Sequence, residues 1–487
     1  MSQFLYDFVH SLSSREKAYF KRFVNVHASG SNKNYLKIYD VIEGMKSFRK
    51  EDLVDHFKGK SIEKYLSSEI SYLKNKILAS LINFHGDNTP RNKIQKGILS
   101  IEVLIAKGFR KEAMKKLFFY KKISYQQEEF SFILNLIELE ENILFKEGIF
   151  GFQDVLKKLK EERNLITAAI QNLNDLRILR EEIRELQFTD RFITDEFKSQ
   201  KGFYKNPILQ SENSCLSIKA KAHWYYIQAL RYFLLRDYHS ALNISEKYIR
   251  FLEENQNLFH VSDQLPGISN YNYFAGKTGN EVAFNKGINK LNNISLLPRI
   301  DLTYIKYIKY SRTLSMAYTT EDKSLTEQAL NLSIELIEKE REQMGSVQIA
   351  FLLYLVVRAT VVLEKYELGA AQLNLMLQYD VLKYIAIQTR LFSLIIHYQL
   401  KWDQLLASEI LLLKSLKKEF PRDKDVINSF YDFFKKELKN PNQTEIHSKD
   451  LMKKLEIIKN DKERNFVFED FDFFEWSRMI YINNVSV

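Results

Sequence analysis

The chain has 487 residues, 45% of them hydrophobic, with only 15 glycines and 6 prolines. So few backbone breakers exclude a β-rich fold and a Pro/Gly-rich disordered chain, and they disfavour barrels and doubly wound folds, whose many junctions use glycine. The net charge of +10 lies wholly in residues 1–130, which hold 24 Lys and Arg against 14 Asp and Glu. Such charge marks an acidic partner (nucleic acid, an acidic protein or a membrane surface) or serves solubility alone. The composition predicts a large all-α protein.

Residues 1–90 are predicted to form a basic bundle of four helices. Ser13 and Glu16 stand in the spacing of a capping box, which marks the start of a helix. A short third helix is expected over 50–57, and a long fourth helix near Ser61. A cluster of turn-forming residues before Pro90 closes this part of the chain.

The end of this bundle resembles a helix-turn-helix, because a short helix, a Lys-Gly turn and a longer helix follow one another. Residues 61–78 would be the recognition helix. The resemblance implies binding of nucleic acid, since lysines near phosphates release counterions. The lysines in question are Lys58, Lys60, Lys64, Lys74 and Lys76. Any bundle with a short helix before a long one gives the same pattern.

From residue 91 onward, a recurring pattern joins a helix, an aromatic residue in the turn, and a small residue a few positions later. The clearest unit is 222–255, where Tyr238 lies in the turn and Ala229 and Ala241 allow two helices to approach closely. This unit resembles a tetratricopeptide repeat. The resemblance implies that a superhelical array of antiparallel helix pairs follows the N-terminal helical bundle. The array would cover 91–215, which includes a long amphipathic helix, and 216–440.

In the tetratricopeptide family, the first helices of the pairs line a concave groove that receives peptides. The resemblance assigns to this groove Tyr226, Tyr354, Arg358, Arg390 and His397, together with His223, Leu230, Phe233 and Leu394. These residues are mostly aromatic or aliphatic, which argues against a clamp for a peptide carboxylate. We expect the groove to hold an apolar partner helix, or part of the same chain.

The last part, 441–487, is predicted to be a helix and a capping tail. It contains the run FEDFDFFEW (468–476), which we call the acidic–aromatic segment. Its aromatic side chains are expected to cap the last helix pair rather than to await a partner.

The sequence offers little sign of catalytic chemistry. Gly276-Lys277-Thr278 ends like a phosphate-binding loop, but Tyr271 stands where that loop requires glycine, so a turn between two helices is predicted. The nine histidines lack the spacing of zinc ligands, and no nucleophile signature surrounds Cys215. We therefore expect no enzymatic activity, no cofactor and no metal.

A single cysteine, a start without a basic leader region, and a longest apolar run of 13 residues (351–363) favour a cytoplasmic protein without a membrane span. The favoured function is a non-catalytic protein–protein interaction scaffold or adaptor that uses the groove. The alternative is a nucleic-acid-associated regulatory protein that uses the basic N-terminal region.

Overall fold

The computed structural model describes residues 3–27, 34–86, 89–147, 152–189, 206–259, 261–294, 299–379, 385–461 and 465–485. These ranges contain 22 α-helices, short 3-10 turns and no β-strand. The prediction of an all-α fold is confirmed. The chain divides into two compact units, Met1–Ile170 and Gln171–Val487. The division into four parts stays a prediction.

The first unit contains helices α1 (Gln3–Ser11), α2 (Ser14–His27), α3 (Asn34–Gly44), α4 (Lys50–Phe57), α5 (Leu66–His85), α6 (Pro90–Ala106), α7 (Arg110–Gln126), α8 (Phe130–Glu147) and the first part of α9 (Phe152–Thr189). The predicted number of four helices is wrong, because five helices, α1 to α5, share one core, in which Phe20 and Tyr39 are fully buried. Helices α6 to α8 share another, around Ile101 and Leu117. The long amphipathic helix, predicted over 157–200, is present as α9 up to Thr189, and the rest of that range lies outside the described residues.

Two local predictions in the first unit have different outcomes. The capping box is confirmed, because the Ser13 N–H donates to Glu16 Oε2 at 2.7 Å and the Glu16 N–H donates to Ser13 Oγ at 3.3 Å. The predicted start of the long fourth helix near Ser61 is wrong, since α5 begins at Leu66. The Gly59 N–H donates to Glu63 Oε2 at 2.7 Å, and a 3-10 turn at 63–65 follows. The Glu63 side chain thus favours a turn conformation here, and α5 begins about one helical turn later than predicted.

The second unit contains the rest of α9 and helices α10 (Ile218–Leu234), α11 (Tyr238–Glu254), α12 (Val261–Lys277), α13 (Glu281–Asn292), α14 (Arg299–Thr319), α15 (Lys323–Glu340), α16 (Ser346–Val362), α17 (Tyr366–Met376), α18 (Ala386–Gln399), α19 (Asp403–Leu416), α20 (Lys424–Lys439), α21 (Thr444–Asn460) and α22 (Phe473–Val485). Helices α10 to α21 pack as six consecutive pairs, and α22 packs against α21. Neighbouring pairs are in contact as well, since α11 packs on α12 and α19 packs on α20.

One turn recurs inside the helix pairs of the second unit. Its central residue has a positive φ, and the next residue donates its N–H to the carbonyl five positions back, as in a Schellman motif. The central residues are Arg236, Gly279, Glu321, Glu364 and Lys401. They are spaced 43, 42, 43 and 37 residues apart, and the second helix always begins two residues later. Gly108 and Glu128 occupy the same turn after α6 and α7 in the first unit.

Candidate peptide-binding surface

The first helices of successive pairs form a continuous row in the second unit. Helix α12 contacts α14, α14 contacts α16, α16 contacts α18, and α18 contacts α20. We call these five helices the first-helix row. The acidic–aromatic segment follows α21, ends in the first turn of α22 and lies against this row, because residues 469–473 contact α12, α14, α16, α18 and α20. The chain's own segment therefore covers part of the first-helix row, including Arg358 among the residues that the sequence assigned to a groove.

Two carboxylates of the acidic–aromatic segment meet basic and hydroxyl groups. Lys277 Nζ, at the end of α12, lies 2.9 Å from Asp470 Oδ1 and donates to the Glu469 carbonyl, also at 2.9 Å. Glu469 Oε1 lies 2.8 Å from Arg236 Nε, and Glu469 Oε2 accepts from the Tyr238 hydroxyl at 2.7 Å. The Lys277 and Asp470 side chains are only 10% and 5% exposed, so their charges compensate each other away from solvent.

The main chain of the segment is held as well. Arg358, which is 3% exposed, donates to the carbonyl of Asp470 at 3.1 Å and to the carbonyl of Leu314 at 3.0 Å. Its guanidinium lies 4.6 Å from the ring centre of Tyr318, and the Tyr318 hydroxyl accepts the Asp472 N–H at 2.7 Å. Burial raises the pKa of Tyr318, so its hydroxyl stays protonated at neutral pH. These contacts hold the segment through its backbone atoms, independently of its side chains.

Aromatic packing fixes the rest of the segment. Phe471 stacks on Tyr318 with ring centres 6.2 Å apart and meets Phe392 edge-on at 5.1 Å. Phe473 reaches Phe392 at 5.7 Å and Phe430 at 5.6 Å, and its side chain is fully buried. Burying such rings stabilises the contact by about 1.5–3 kcal/mol each, with about 0.5–1.5 kcal/mol more for each aromatic pair. Phe473 thus contacts α20 of the last pair, and Phe471 contacts the earlier helices α14 and α18.

The predicted groove residues lie in three different environments. Arg358 contacts the segment directly, and the fully buried Tyr354 supports Phe392 from 5.9 Å. Tyr226 is covered by the guanidinium of Arg180, 5.1 Å from its ring centre.

The remaining two predicted residues face the second helix of their own pair. Arg390 binds both carboxylate oxygens of Glu409 at 3.2 Å. His397 is 8% exposed and lies 5.8 Å from the Trp402 ring, and burial lowers its pKa. The sequence analysis did not identify four residues that contact the acidic–aromatic segment: Arg236, Tyr238, Lys277 and Tyr318. The one signal in the sequence was the acidity of the segment, which requires cations nearby.

The predicted basic patch is on the first unit. Lys58 and Lys60 lie in the turn after α4, Lys64 lies in the 3-10 turn, and Lys74 and Lys76 are on α5. The connection between α4 and α5 spans residues 58–65, longer than the three or four residues that join a helix-turn-helix. Three of the five lysines already lie over aromatic rings 5.2–5.5 Å away: Lys60 over Phe57, Lys74 over Phe4 and Lys76 over Tyr72.

Other chemistry-bearing groups are dispersed. In the described ranges, no three His, Cys, Asp or Glu side chains come together as metal ligands would. Burial raises the pKa of Cys215 to about 11, so its thiol is protonated at neutral pH. Where the structure describes helices, none is both long enough and apolar enough to span a bilayer.

Comparison with protein-family models, with curated proteins and with solved structures finds no match to this chain.

Proposed function

We propose that this chain is a non-catalytic protein–protein interaction scaffold, built as a superhelical array of helix pairs similar to tetratricopeptide repeats. The recurring turn and the first-helix row support this architecture. The turn spacing of 37–43 residues exceeds the 34 residues of a tetratricopeptide repeat, so the similarity lies in how the helices pair rather than in the repeat length. With one cysteine in 487 residues, a reducing compartment such as the cytoplasm suits the chain.

The observation that carries the proposal is the set of contacts between the acidic–aromatic segment of the same chain and the first-helix row. Lys277 and Arg358 donate to backbone carbonyls of the acidic–aromatic segment, while Phe471 fits between Tyr318 and Phe392. A surface that recognises backbone, one carboxylate and one ring in a fixed order is suited to an extended segment of a partner protein. The partner is a protein that presents an acidic residue followed directly by an aromatic one, in place of Asp470 and Phe471.

The chain's own segment competes with such a partner. A tethered segment acts at an effective concentration on the order of millimolar, so a free peptide with the same contacts binds weakly to the intact chain. Weakening the segment without changing the first-helix row therefore exposes the site.

The test uses a fluorescein-labelled peptide of residues 465–477 and fluorescence polarisation. The triple variant Glu469→Ala/Asp470→Ala/Phe471→Ala removes the competing side chains and leaves every groove residue in place. It should bind the peptide at least about tenfold more tightly than the unmodified chain does. Adding Arg358→Met to the triple variant should weaken its affinity for the peptide about tenfold, because this change removes a charged hydrogen bond to the peptide.

The matched control is Glu475→Ala, in the same segment. Glu475 pairs at 2.8 Å with Arg478 on the surface, so this variant should behave as the unmodified chain. A scrambled peptide should not bind. If the triple variant keeps its helical circular dichroism and still binds the peptide no better than the unmodified chain, the proposed function is wrong.

A further inference from the structure

The strongest positive charge in the first unit lies on α6 and α7, outside the predicted basic patch. Residues 91–125 hold ten Lys and Arg against two Glu. The buried side of α7 consists of Ala113, Leu117, Lys121 and Ser124. Lys121 is neutralised there by Glu140 at 2.7 Å and Glu162 at 2.8 Å. The other lysines of this helix, Lys111, Lys115, Lys116 and Lys122, are exposed.

The exposed side of α7 alternates lysines and aromatic rings. One stripe, with spacings of four and three residues, consists of Lys111, Lys115, Phe118, Lys122 and Tyr125, all of them exposed. Phe118 is 54% exposed, and the adjacent Phe119 is 53% exposed. These exposed rings do not contribute to the hydrophobic core. A contiguous exposed group of large apolar side chains marks a site of interaction.

Several of the lysines are available to a ligand. Within the described part of the chain, Lys111, Lys116 and Lys122 have no carboxylate partner, whereas Lys115 pairs with Glu112 at 2.7 Å. Lys93 of α6 lies 5.9 Å from the Phe119 ring centre, which places an ammonium group beside the ring. Cations therefore flank both exposed phenylalanines.

We propose that this face of α7 binds single-stranded nucleic acid. Lysines neutralise the phosphates as point charges without reading sequence, and Phe118 and Phe119 offer faces on which unpaired bases stack. A duplex keeps its bases stacked on one another, so it gains nothing from exposed rings. A helix lying on a membrane needs an unbroken apolar face, but lysines interrupt the stripe on α7 at every turn. This inference is independent of the proposed function of the first-helix row.

The test measures fluorescence anisotropy of labelled oligo-dT of 20 nucleotides with the full chain, at 50 and 200 mM KCl. Phe118→Ala/Phe119→Ala keeps every charge and should weaken binding about 5- to 100-fold for each stacked base it loses. Lys111→Glu/Lys116→Glu/Lys122→Glu should abolish binding at 200 mM KCl. The slope of log affinity against log salt should become less steep by at least about 2.

The matched control is Lys58→Glu/Lys60→Glu/Lys64→Glu, which makes the same change of charge in the predicted basic patch. It should bind oligo-dT nearly as the unmodified chain does, and all variants should keep their helical circular dichroism because the replaced side chains are exposed. The proposal is overturned by any of three results: no binding of oligo-dT by the unmodified chain, equal binding of a 20-base-pair duplex, or unchanged binding by Phe118→Ala/Phe119→Ala. Sedimentation with phosphatidylserine vesicles in the absence of oligo-dT binding would also overturn it.

Discussion

Replacing Lys277 with Met tests whether the buried ion pair holds the acidic–aromatic segment on the first-helix row. Lys277 Nζ lies 2.9 Å from Asp470 Oδ1, and the two side chains are 10% and 5% exposed. Methionine keeps an unbranched apolar side chain of similar length and removes the charge. Asp470 then stays buried without its cation.

The expected cost follows from the burial of the pair. Breaking one side of a buried ion pair costs about 3–5 kcal/mol, because the remaining charge is left uncompensated. The variant also loses the 2.9 Å bond from Lys277 to the Glu469 carbonyl, but Arg358 still donates to the Asp470 carbonyl. We therefore expect the lower end, about 3 kcal/mol, which corresponds to about a 100-fold increase in local opening of the segment.

Hydrogen–deuterium exchange measures this opening at the amides of residues 471–474. These amides should exchange about 100-fold faster in Lys277→Met, while those of α6 and α7 stay unchanged. Lys459→Met is the control, since Lys459 and Asp472 form a pair at 2.6 Å that is 38% and 32% exposed and contributes less than about 1 kcal/mol. Lys277→Met/Asp470→Leu should recover most of the protection. Equal exchange in Lys277→Met and Lys459→Met would refute the reasoning.

Three further predictions concern pH, packing and turn geometry. Burial, with two arginines of α9, lowers the pKa of His223 to about 4, while the imidazole of the unfolded chain titrates near 6.5. The unfolded chain thus binds more protons than the folded chain below pH 6.5. The neutral imidazole therefore contributes up to about 3 kcal/mol to the free energy of unfolding above pH 6.5, and this contribution is lost between pH 6.5 and 4. In urea unfolding, His223→Gln should reduce the dependence of the free energy of unfolding on pH in this range, and an unchanged dependence would contradict the prediction. An alanine Cβ at Gly369 would lie 2.6 Å from a threonine hydroxyl of α16, which is too close for two unbonded atoms. Gly369→Ala should therefore destabilise the chain by about 1–3 kcal/mol and lower its melting temperature. Gly44→Ala is the control and should leave the melting temperature unchanged, because no atom lies within 4 Å of that Cβ position. Lys401 has a φ of 57°, which glycine adopts without strain, so Lys401→Gly should raise the free energy of unfolding by about 1 kcal/mol. Lys414→Gly, inside α19, should lower it by about 1 kcal/mol. If both variants change the free energy of chemical unfolding by the same amount and in the same direction, the turn assignment is wrong.

The helices were predictable because each needs only a local pattern of apolar residues, and the long helix α9 and the capping box at Ser13 were found in this way. The recurring turn was not predictable, since glycine is its usual marker and only Gly108 and Gly279 of its seven central residues are glycines. The other five are Glu, Arg or Lys with a positive φ. Main-chain hydrogen bonds of the Schellman type hold these turns, and main-chain bonds leave no signature in side-chain identity.

The candidate site could be predicted only down to the level of the helix. Arg390 was assigned to the groove, but Phe392, two positions further along α18, is the residue that meets the acidic–aromatic segment. Residues two apart on a helix point about 200° away from each other, so Arg390 faces Glu409 of the neighbouring helix instead. Tyr354 and Arg358 are four apart and share the predicted face. The face of each helix depends on tertiary packing, which a degenerate repeat does not specify.

The composition of the segment explains why it lies on the first-helix row, and the proposed function then predicts which partner would replace it. Burying its aromatic rings brings the intervening carboxylates out of water, and each buried carboxylate requires a cation. Only Glu469 and Asp470 find cations on the row and at the adjacent turn, whereas Asp472 pairs with Lys459 of α21 and Glu475 pairs with a surface arginine. On the proposed function, specificity for a competing protein resides in the acidic residue and the phenylalanine at 470–471, and Glu469 adds a second carboxylate contact at the adjacent turn. A peptide that keeps this order and loses the acids at 472 and 475 should compete as well as the full sequence does, while an acidic peptide without the phenylalanine should not.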